Sequence, residues 1–325
     1  MCNSQNLHQV TTTSTASSAP VFPLPLCLYD TPMLAVAVVL IDCLVISLAG
    51  PAGLMGLIAA LTGATFLIAR RHRSARPAGS APKLGNRLQL WFGEIMAAWS
   101  LFLFWMPLER WLMPRDRPGT RAGAVPVLLI HGYINNAGAL WRLWRALVGK
   151  GFGIYTLNLE PVYAGLDRYV PAIAARIGTI RALTGAAKVT LVCHSMGGLA
   201  ARAYLDWCAA QNIDPGIAKV VTLGSPHHGT VLARAEWSEN GRQMAPGSAW
   251  LARLAAQEAA RQPQVWPCPF VSIYSIDDNV VVPQRSARLE GARNIELEGI
   301  GHISLPLAQR VIDLVLSEVA LPPAS

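Results

Sequence analysis

Charged residues are scarce in this chain of 325 residues. Asp, Glu, Lys and Arg make up 14% of the sequence and hydrophobic residues 52%, whereas typical soluble domains contain roughly 25% charged residues. The formal net charge is +8, but Lys and Arg do not form a stripe interleaved with aromatic residues on the globular part. This absence argues against a nucleic-acid-binding protein.

Cysteine motifs of the kind that bind metals are also missing. The six cysteines, at positions 2, 27, 43, 193, 208 and 268, form no C-x-x-C pair. No Cys/His cluster has the spacing of a zinc site, and the pattern does not indicate a disulfide framework. We therefore predict no metal and no cofactor, while a disulfide between Cys208 and Cys268 stays open.

Two apolar runs follow a Ser/Thr-rich segment, residues 1–32, which we expect to be disordered. The runs cover residues 33–49 and 52–69, and Gly50-Pro51 separates them. Each run has about the ~17–20 residues that are needed to cross a hydrocarbon core. We predict a transmembrane helical hairpin over residues 33–69 with its turn at Gly50-Pro51.

A basic loop, residues 70–87, comes directly after the hairpin. Residues 1–122 hold ten Lys/Arg and five Asp/Glu, so they supply +5 of the net +8 charge. Basic clusters of this kind mark the cytoplasmic side of a membrane. A secretory signal peptide would instead need basic residues before the apolar run and a small-residue cleavage site, and the sequence has neither.

A third apolar stretch, residues 88–108, contains three tryptophans and a single charge at Glu94. It can be a third transmembrane helix, a helix in the membrane interface, or a helix packed on the globular domain. Three spans would place that domain in the periplasm, and two spans with an interfacial helix would place it in the cytoplasm. In each membrane case, residues 33–122 form a membrane region.

From residue 123 onward, short β-rich runs alternate with helical patterns. This alternation predicts an α/β domain over residues 123–325, with a mostly parallel sheet and helices on both faces. The predicted strands are 125–130, 152–157, 189–193, 220–223, 270–274 and 294–297. The predicted helices are 138–148, 169–183, 198–210 and 306–319.

The apolar strand that ends at His194 runs into Ser195 and then into a helix that starts with small residues. This pattern is typical of a nucleophile elbow, in which the serine projects from a tight turn and the next N–H, that of Met196, stabilises an oxyanion. Cys193 departs from the G-x-S-x-G pattern, because it stands where the first glycine belongs. The alternative is a serine that only caps the helix.

A nucleophilic serine needs a base and an acid. In the order Ser, acid, His, only His302 lies far enough downstream to serve as the base. The acid should lie on a loop after a strand, and Asp277 and Asp278 follow the strand 270–274. Either carboxylate could orient the imidazole, so the residues alone leave both open.

A second oxyanion donor must come from another strand end. The strand that ends at Ile130 leads into His131-Gly132-Tyr133, after which the backbone N–H of Tyr133 can point toward the serine. Because acyl-transfer sites need donors on separate loops, this motif supports the elbow.

With these motifs in order, the last ~200 residues resemble the bacterial lipase and esterase branch of the α/β-hydrolase superfamily. The matching motifs are His131-Gly132-Tyr133, His194-Ser195-Met196-Gly197-Gly198, Gly224-Ser225-Pro226-His227-His228-Gly229, Ser275-x-x-Asp278-Asn279 and Gly301-His302. The resemblance implies that Ser195 is the nucleophile, His302 the general base and Asp278 rather than Asp277 the acid. It also implies an oxyanion hole formed by the N–H groups of Tyr133 and Met196.

Two further segments allow more than one interpretation. His227 and His228 suggest a metal site, but neighbouring side chains on an extended chain point apart, so we predict a structural role in a loop. Residues 231–266 form an insertion after the fourth predicted strand. They can be ordinary packing on the sheet or, as the resemblance suggests, a lid for lipid-like substrates.

The sequence thus predicts a membrane-anchored serine hydrolase that cleaves carboxylic esters of lipid-like substrates through an acyl-enzyme. The apolar runs predict attachment to a membrane, and the resemblance to bacterial enzymes makes the bacterial inner membrane the expected one. An acyltransferase or a phospholipase could use the same triad, and a non-catalytic α/β-hydrolase scaffold is a further alternative. The oligomeric state stays open.

Overall fold

The structure is a computed structural model that describes residues 32–76, 84–235, 237–261 and 266–321. The disordered segment predicted for residues 1–32 therefore lies outside the described residues, apart from Pro32. The chain divides into two compact units, Met1–Gly53 and Leu54–Ser325. The first unit contributes the start of helix α1, Pro32–His72, and all the contacts described below lie within the second unit.

Helix α1 corrects the predicted hairpin. It runs from Pro32 to His72 as one helix, with Pro51 inside it, so the prediction of a turn at Gly50-Pro51 is wrong. A proline removes one intrahelical hydrogen bond, and a long apolar helix tolerates this loss. The dipeptide therefore does not end the helix.

The third apolar stretch is helical throughout. Helix α2, Leu84–Ser100, continues through a π-helical turn, Leu101–Trp105, into helix α3, Met106–Leu112. It extends four residues beyond each end of the predicted range 88–108. Within the described residues, Gly50–His72 and Leu84–Leu112 are the two helical stretches that are long and apolar enough to cross a membrane.

A seven-stranded sheet forms the centre of the second unit, in the order β1-β3-β2-β4-β5-β6-β7. The strands are β1 Asp116–Arg117, β2 Val127–Ile130, β3 Ile154–Leu157, β4 Val189–His194, β5 Ile217–Leu223, β6 Phe270–Ser275 and β7 Arg293–Leu297. Strands β2 to β7 pair in parallel and match the six predicted strands. Strand β1, which pairs antiparallel with β3, was not predicted because two residues carry no periodicity.

Helices cover both faces of this sheet. They are α4 Trp141–Gly149, α5 Val170–Thr184, α6 Met196–Ala210, α7 Glu239–Gln243, α8 Ala249–Ala259 and α9 Gln309–Ala320. Leu128 and Ile130 belong to a core with α5, α6 and α8, whereas Val127 and Leu129 belong to a core with α4 and α9. This alternation along β2 places successive side chains on opposite faces, as a doubly covered parallel sheet requires. The predicted α/β fold is confirmed.

Helices α7 and α8 lie in the segment that was predicted as a lid. In α8, Trp250, Leu251 and Leu254 are buried in the core, and Glu258 forms a buried ion pair with Arg202 of α6 at 2.6 Å. In α7, the Asn240 amide lies 3.5 Å from the sulfur of Met196, the residue after Ser195. A lid formed by residues 231–266 stays a prediction.

The cysteine pair left open by the sequence is not a disulfide. Cys208 and Cys268 are both buried free thiols, as is Cys193. Burial raises the pKa of the Cys208 thiol and raises that of Cys268 to about 12, so both stay protonated near neutral pH. They act as small apolar side chains in the core.

Candidate active site

Ser195 lies at the sharp turn between β4 and α6. Its backbone angles are φ 54° and ψ −127°, a region that side chains other than glycine rarely adopt. The Ser195 N–H donates to the carbonyl of Leu223 on β5 at 2.9 Å, which ties the turn to the neighbouring strand. The surrounding sheet thereby holds the strained serine at the carboxyl edge of the strands.

Small residues allow this turn to form. A Cβ on Gly197 would lie 2.6 Å from the carbonyl oxygen of His131, and one on Gly198 would collide with Ser225. Cys193, which departs from the motif, is fully buried in the core beneath the turn. Its side chain therefore fits without displacing Ser195.

Ser195, His302 and Asp278 form a continuous chain of hydrogen bonds. His302 Nε2 lies 2.9 Å from Ser195 Oγ, and His302 Nδ1 lies 2.8 Å from Asp278 Oδ2. Because a carboxylate only accepts, Nδ1–H donates to Asp278 and Nε2 is left to accept from the serine hydroxyl. The three residues are 2–7% exposed, so water screens these contacts weakly.

The two adjacent aspartates have different partners. The second oxygen of Asp278, Oδ1, accepts from the N–H groups of Val280 and Val281, each at 2.8 Å. Asp277 instead forms an ion pair with Arg76 and accepts from the Gly299 N–H at 2.8 Å. The geometry therefore places Asp278, and not Asp277, against the imidazole.

The environment of His302 favours its protonated form. Burial alone would lower its pKa, but the charge and hydrogen bond of Asp278, together with the charge of Glu94, raise it above the usual 6.5. The imidazole of His194 lies beside that of His302, with ring centroids 4.8 Å apart. Burial lowers the pKa of His194 to about 3, so this ring stays neutral beside His302.

The loop after β2 approaches Ser195 from the other side. A Cβ on Gly132 would lie 2.7 Å from Ser195 Cβ, so the backbone leading to Tyr133 lies directly against the serine. His131 Nδ1–H donates to the Gly132 carbonyl at 2.8 Å, and Nε2 accepts from Leu159 N–H at 2.9 Å. Met196 is the first residue of α6, where N–H groups have no intrahelical partner. The structure thus brings both predicted oxyanion segments next to Ser195.

Two residues at the site were missed from the sequence. The side-chain carbonyl of Asn279 accepts from the His302 N–H at 3.0 Å, and its amide donates to Thr65 Oγ1 of α1 at 2.7 Å. The carboxylate of Glu94 on α2 accepts from the N–H of Ile303, next to His302, at 2.6 Å. Glu94 is the lone charge of the third apolar stretch, and an ionisable residue in such a stretch is a signal that could have identified it.

Aromatic side chains lie next to the oxyanion loop. The ring centroids of Tyr133 and Tyr163 are 6.2 Å apart, and those of Tyr163 and Trp237 are 4.6 Å apart. Tyr163 and Trp237 are exposed, at 42% and 68%. The Tyr133 hydroxyl also lies 2.7 Å from Ser238 Oγ, which ties the segment before α7 to this cluster.

The histidine pair has structural contacts. His227 is buried, its Nε2 lies 3.1 Å from Thr222 Oγ1, and its ring packs on Phe270. Across the described ranges, no group of three or more His, Cys, Asp or Glu side chains could hold a metal ion. These contacts agree with a structural role for His227 in its loop.

A family model and two relatives match parts of this chain in sequence. The PGAP1-like alpha/beta domain family matches residues 167–290. Over 116 residues, the chain is 32% identical to a triacylglycerol lipase from Pseudarthrobacter phenanthrenivorans and to one from Burkholderia plantarii. The match covers 33% of this chain and 35% and 31% of those relatives, so it spans about a third of their length.

Solved structures extend the likeness in fold to 64–66% of this chain. The fold is similar to that of mature Bacillus licheniformis lipase BlEst2, with a TM-score of 0.55 and 18% identity over 64% of this chain and 96% of that chain. It is also similar to Aspergillus fumigatus lipase B, with a TM-score of 0.54 and 18% identity over 66% of this chain and 58% of that chain. The chain therefore has an α/β-hydrolase fold. Its resemblance to the lipase and esterase branch of that superfamily is confirmed by the matching family model and by the triacylglycerol lipases that it is similar to.

Proposed function

We propose that this α/β hydrolase cleaves carboxylic esters of lipid-like substrates through an acyl-enzyme. The observation that supports the proposal is the buried hydrogen-bond chain from Ser195 through His302 to Asp278. A serine, a correctly oriented imidazole and a buried carboxylate are the groups that nucleophilic acyl transfer requires.

The reaction follows from this geometry in two stages. Ser195 Oγ attacks the ester carbonyl carbon while His302 Nε2 takes the hydroxyl proton. The N–H groups of Tyr133 and Met196 stabilise the oxyanion of the tetrahedral intermediate. His302 then gives its proton to the leaving alkoxide, which departs as an alcohol and leaves an acyl-serine. Water attacks this ester while His302 Nε2 takes its proton. The bond between the acyl group and Ser195 Oγ then breaks, His302 returns the proton to Ser195, and the carboxylic acid is released.

The substrate class rests on the site entrance and on the relatives. Tyr163 and Trp237 present exposed aromatic rings beside the oxyanion loop, where an acyl chain would lie against apolar surface. The relatives that match in sequence are described as triacylglycerol lipases. An acyltransferase or a phospholipase would use the same residues, and the fate of the acyl group separates these activities from ester hydrolysis.

The apolar helices support attachment to a membrane. Large apolar side chains of α1, α2 and α3 are exposed, including Leu57, Leu61, Leu88, Phe92, Phe104 and Trp111. A surface of this composition is unfavourable in water and favourable in lipid. At the usual helical rise, Glu94 lies about 15 Å along the helix from Leu84, where the apolar stretch begins. Its carboxylate binds residues 303 and 304, directly after His302. A spanning α2 would carry this loop into the hydrocarbon core, so we favour an α2 that lies in the interface.

A fluorophosphonate probe tests the proposed nucleophile. The full-length wild-type protein in detergent should become labelled and should hydrolyse p-nitrophenyl esters, with medium and long acyl chains preferred over chains of four carbons or fewer. Ser195→Ala should lose both activities, whereas Ser225→Ala, which changes another buried serine near the turn, should keep labelling. Equal labelling of wild type and Ser195→Ala would contradict the proposal, and transfer of the acyl group mainly to added alcohols would favour the acyltransferase.

A further inference from the structure

The carboxylate of Glu94 binds the segment that carries the catalytic base. Its Oε1 accepts from the N–H of Ile303 at 2.6 Å. Its Oε2 accepts from the N–H of Ser304 at 3.0 Å and from the Ser304 hydroxyl at 2.6 Å. Glu94 is fully buried, so these hydrogen bonds are formed away from water. A buried carboxylate with several donors and no competing solvent holds its partners firmly.

We propose that Glu94 of helix α2 is a positioning residue for His302, which makes this apolar helix part of the active site rather than only an anchor. The inference rests on the proposed function, because it assumes that His302 is the base. Glu94 acts through the backbone of residues 303 and 304. It is not placed to touch the substrate.

The restraints on this loop act at different residues. Gly301 precedes His302, and a Cβ at that position would collide with the Glu94 carboxylate, so α2 packs directly on the backbone before the base. Asn279 holds the N–H of His302 itself, and His194 Nε2 lies 3.1 Å from its carbonyl oxygen. Glu94 is the side chain that binds the N–H groups of the two residues after the base, where the chain turns toward α9.

Position matters because the imidazole has two partners at hydrogen-bonding distance. Proton transfer from Ser195 requires His302 Nε2 to stay 2.9 Å from Ser195 Oγ while His302 Nδ1 stays 2.8 Å from Asp278 Oδ2. A shift of about 1 Å at a reacting group can reduce a rate on the order of 100-fold. Loss of the Glu94 restraint should therefore lower the turnover number more than it changes substrate affinity.

Charge gives a second effect of the same residue. The titratable groups that face His302 are Asp278, Glu94 and His194, and burial keeps His194 neutral. The negative charge of Asp278 favours the imidazolium form of His302, and that of Glu94 adds to it. Burial raises the pKa of Glu94 itself, whereas the hydrogen bonds from Ser304 and Ile303 favour its charged form. Removal of the Glu94 charge should therefore lower the pKa of His302. In a plot of kcat/KM against pH, the fall on the acidic side, here called the acid limb, should then move to lower pH.

Glu94→Gln tests the proposal in the full-length protein. The amide has the same shape, but it has one acceptor oxygen and presents donors to N–H groups, so at least one of the backbone contacts is lost. With p-nitrophenyl butyrate, which is water-soluble, kcat should fall about tenfold with KM within twofold of wild type. The rate of fluorophosphonate labelling should fall in parallel, and the acid limb should move to lower pH. Glu94→Asp should recover part of the activity, because it restores the carboxylate.

Glu109→Gln is the matched control. Glu109 is also a buried acid of the same apolar stretch, on α3. Its replacement by Gln should leave kcat and the acid limb unchanged. A Glu94→Gln protein that melts like wild type and keeps kcat within twofold would overturn the proposal. If that variant does not fold, Ser304→Ala removes only the hydroxyl contact. It should lower kcat two- to threefold, and an unchanged kcat there would also overturn the proposal. Labelling of wild type but not of Ser195→Ala keeps the proposed function separate from either outcome.

Discussion

The two halves of the active site are held in different ways. The nucleophile half, formed by the β4–α6 turn and the loop after β2, is fixed by the sheet and by close backbone packing around Gly132 and Gly197. The acid–base half, formed by the loops after β6 and β7, has its own internal hydrogen bonds and is also held by polar side chains of the amino-terminal region. Thr65 contacts Asn279, Arg76 pairs with Asp277, and Glu94 binds residues 303 and 304.

This difference shows which part of the protein each half depends on. Every contact that we described for the Ser195 turn comes from residues of the α/β domain. Asp277, Asn279 and Ile303 each have, in addition, a contact from a residue before position 95, in a region that composition alone would assign to an anchor. The apolar region therefore contributes to the site through few polar residues, whereas its apolar residues face outward or pack on the domain.

The largest effect should come from the acid–base half. Asp278→Asn replaces the carboxylate that holds His302 in its tautomer, and kcat should fall on the order of 10³-fold or more. Asp277→Asn removes an ion pair with Arg76 at the neighbouring position and should lower kcat only a few-fold. Steady-state kinetics on one soluble ester measures both variants. A larger loss in Asp277→Asn than in Asp278→Asn would reverse the assignment of the acid.

A larger side chain in the loop that packs on Ser195 should lower the activity of the nucleophile half. Gly132→Ala places a methyl group 2.7 Å from Ser195 Cβ, so either the serine or the oxyanion loop must move. The expected fall in kcat/KM is on the order of 100-fold, in line with the cost of misplacing a reacting group. Gly93→Ala is the control, because a Cβ there meets nothing within 4 Å and favours the helix. Wild-type kcat/KM in Gly132→Ala would show that the loop is not tightly packed on the serine.

The difference between the two halves also explains which features could be predicted from the sequence. Ser195, Gly132 and the strands around them carry local signals, because an elbow needs small residues at fixed positions and a parallel strand needs a continuous apolar run. The six parallel strands and the position of His302 followed from such patterns. The choice of Asp278 over Asp277 followed from the resemblance, since neighbouring carboxylates give no difference in local pattern.

The contacts of the apolar region could not be predicted in the same way. Glu94 and Ile303 are separated by 209 positions, and neither Glu94 nor Thr65 belongs to a repeat or motif that pairs it with a distant loop. The predicted turn at Gly50-Pro51 failed for a related reason. This dipeptide favours a turn locally, but the helix continues through it, so the local pattern did not decide the element.

The two halves should also differ in how they titrate, and this gives the smallest effect. Burial lowers the pKa of His131 to about 4 and that of His194 to about 3, whereas Asp278 and Glu94 outweigh burial and raise the pKa of His302 above 6.5. The base must be neutral, so kcat/KM should fall about tenfold per pH unit as the pH drops below a limb that lies above 6.5. The lowered histidines stabilise the fold fully above about 6.5, and this stability is lost as the pH falls toward 4. Rates and melting temperatures measured at the same pH values should therefore show activity lost before stability. Two results would show that the acid–base half does not set the pKa of His302. One is an acid limb at or below pH 6.5, and the other is a loss of activity and of thermal stability at the same pH.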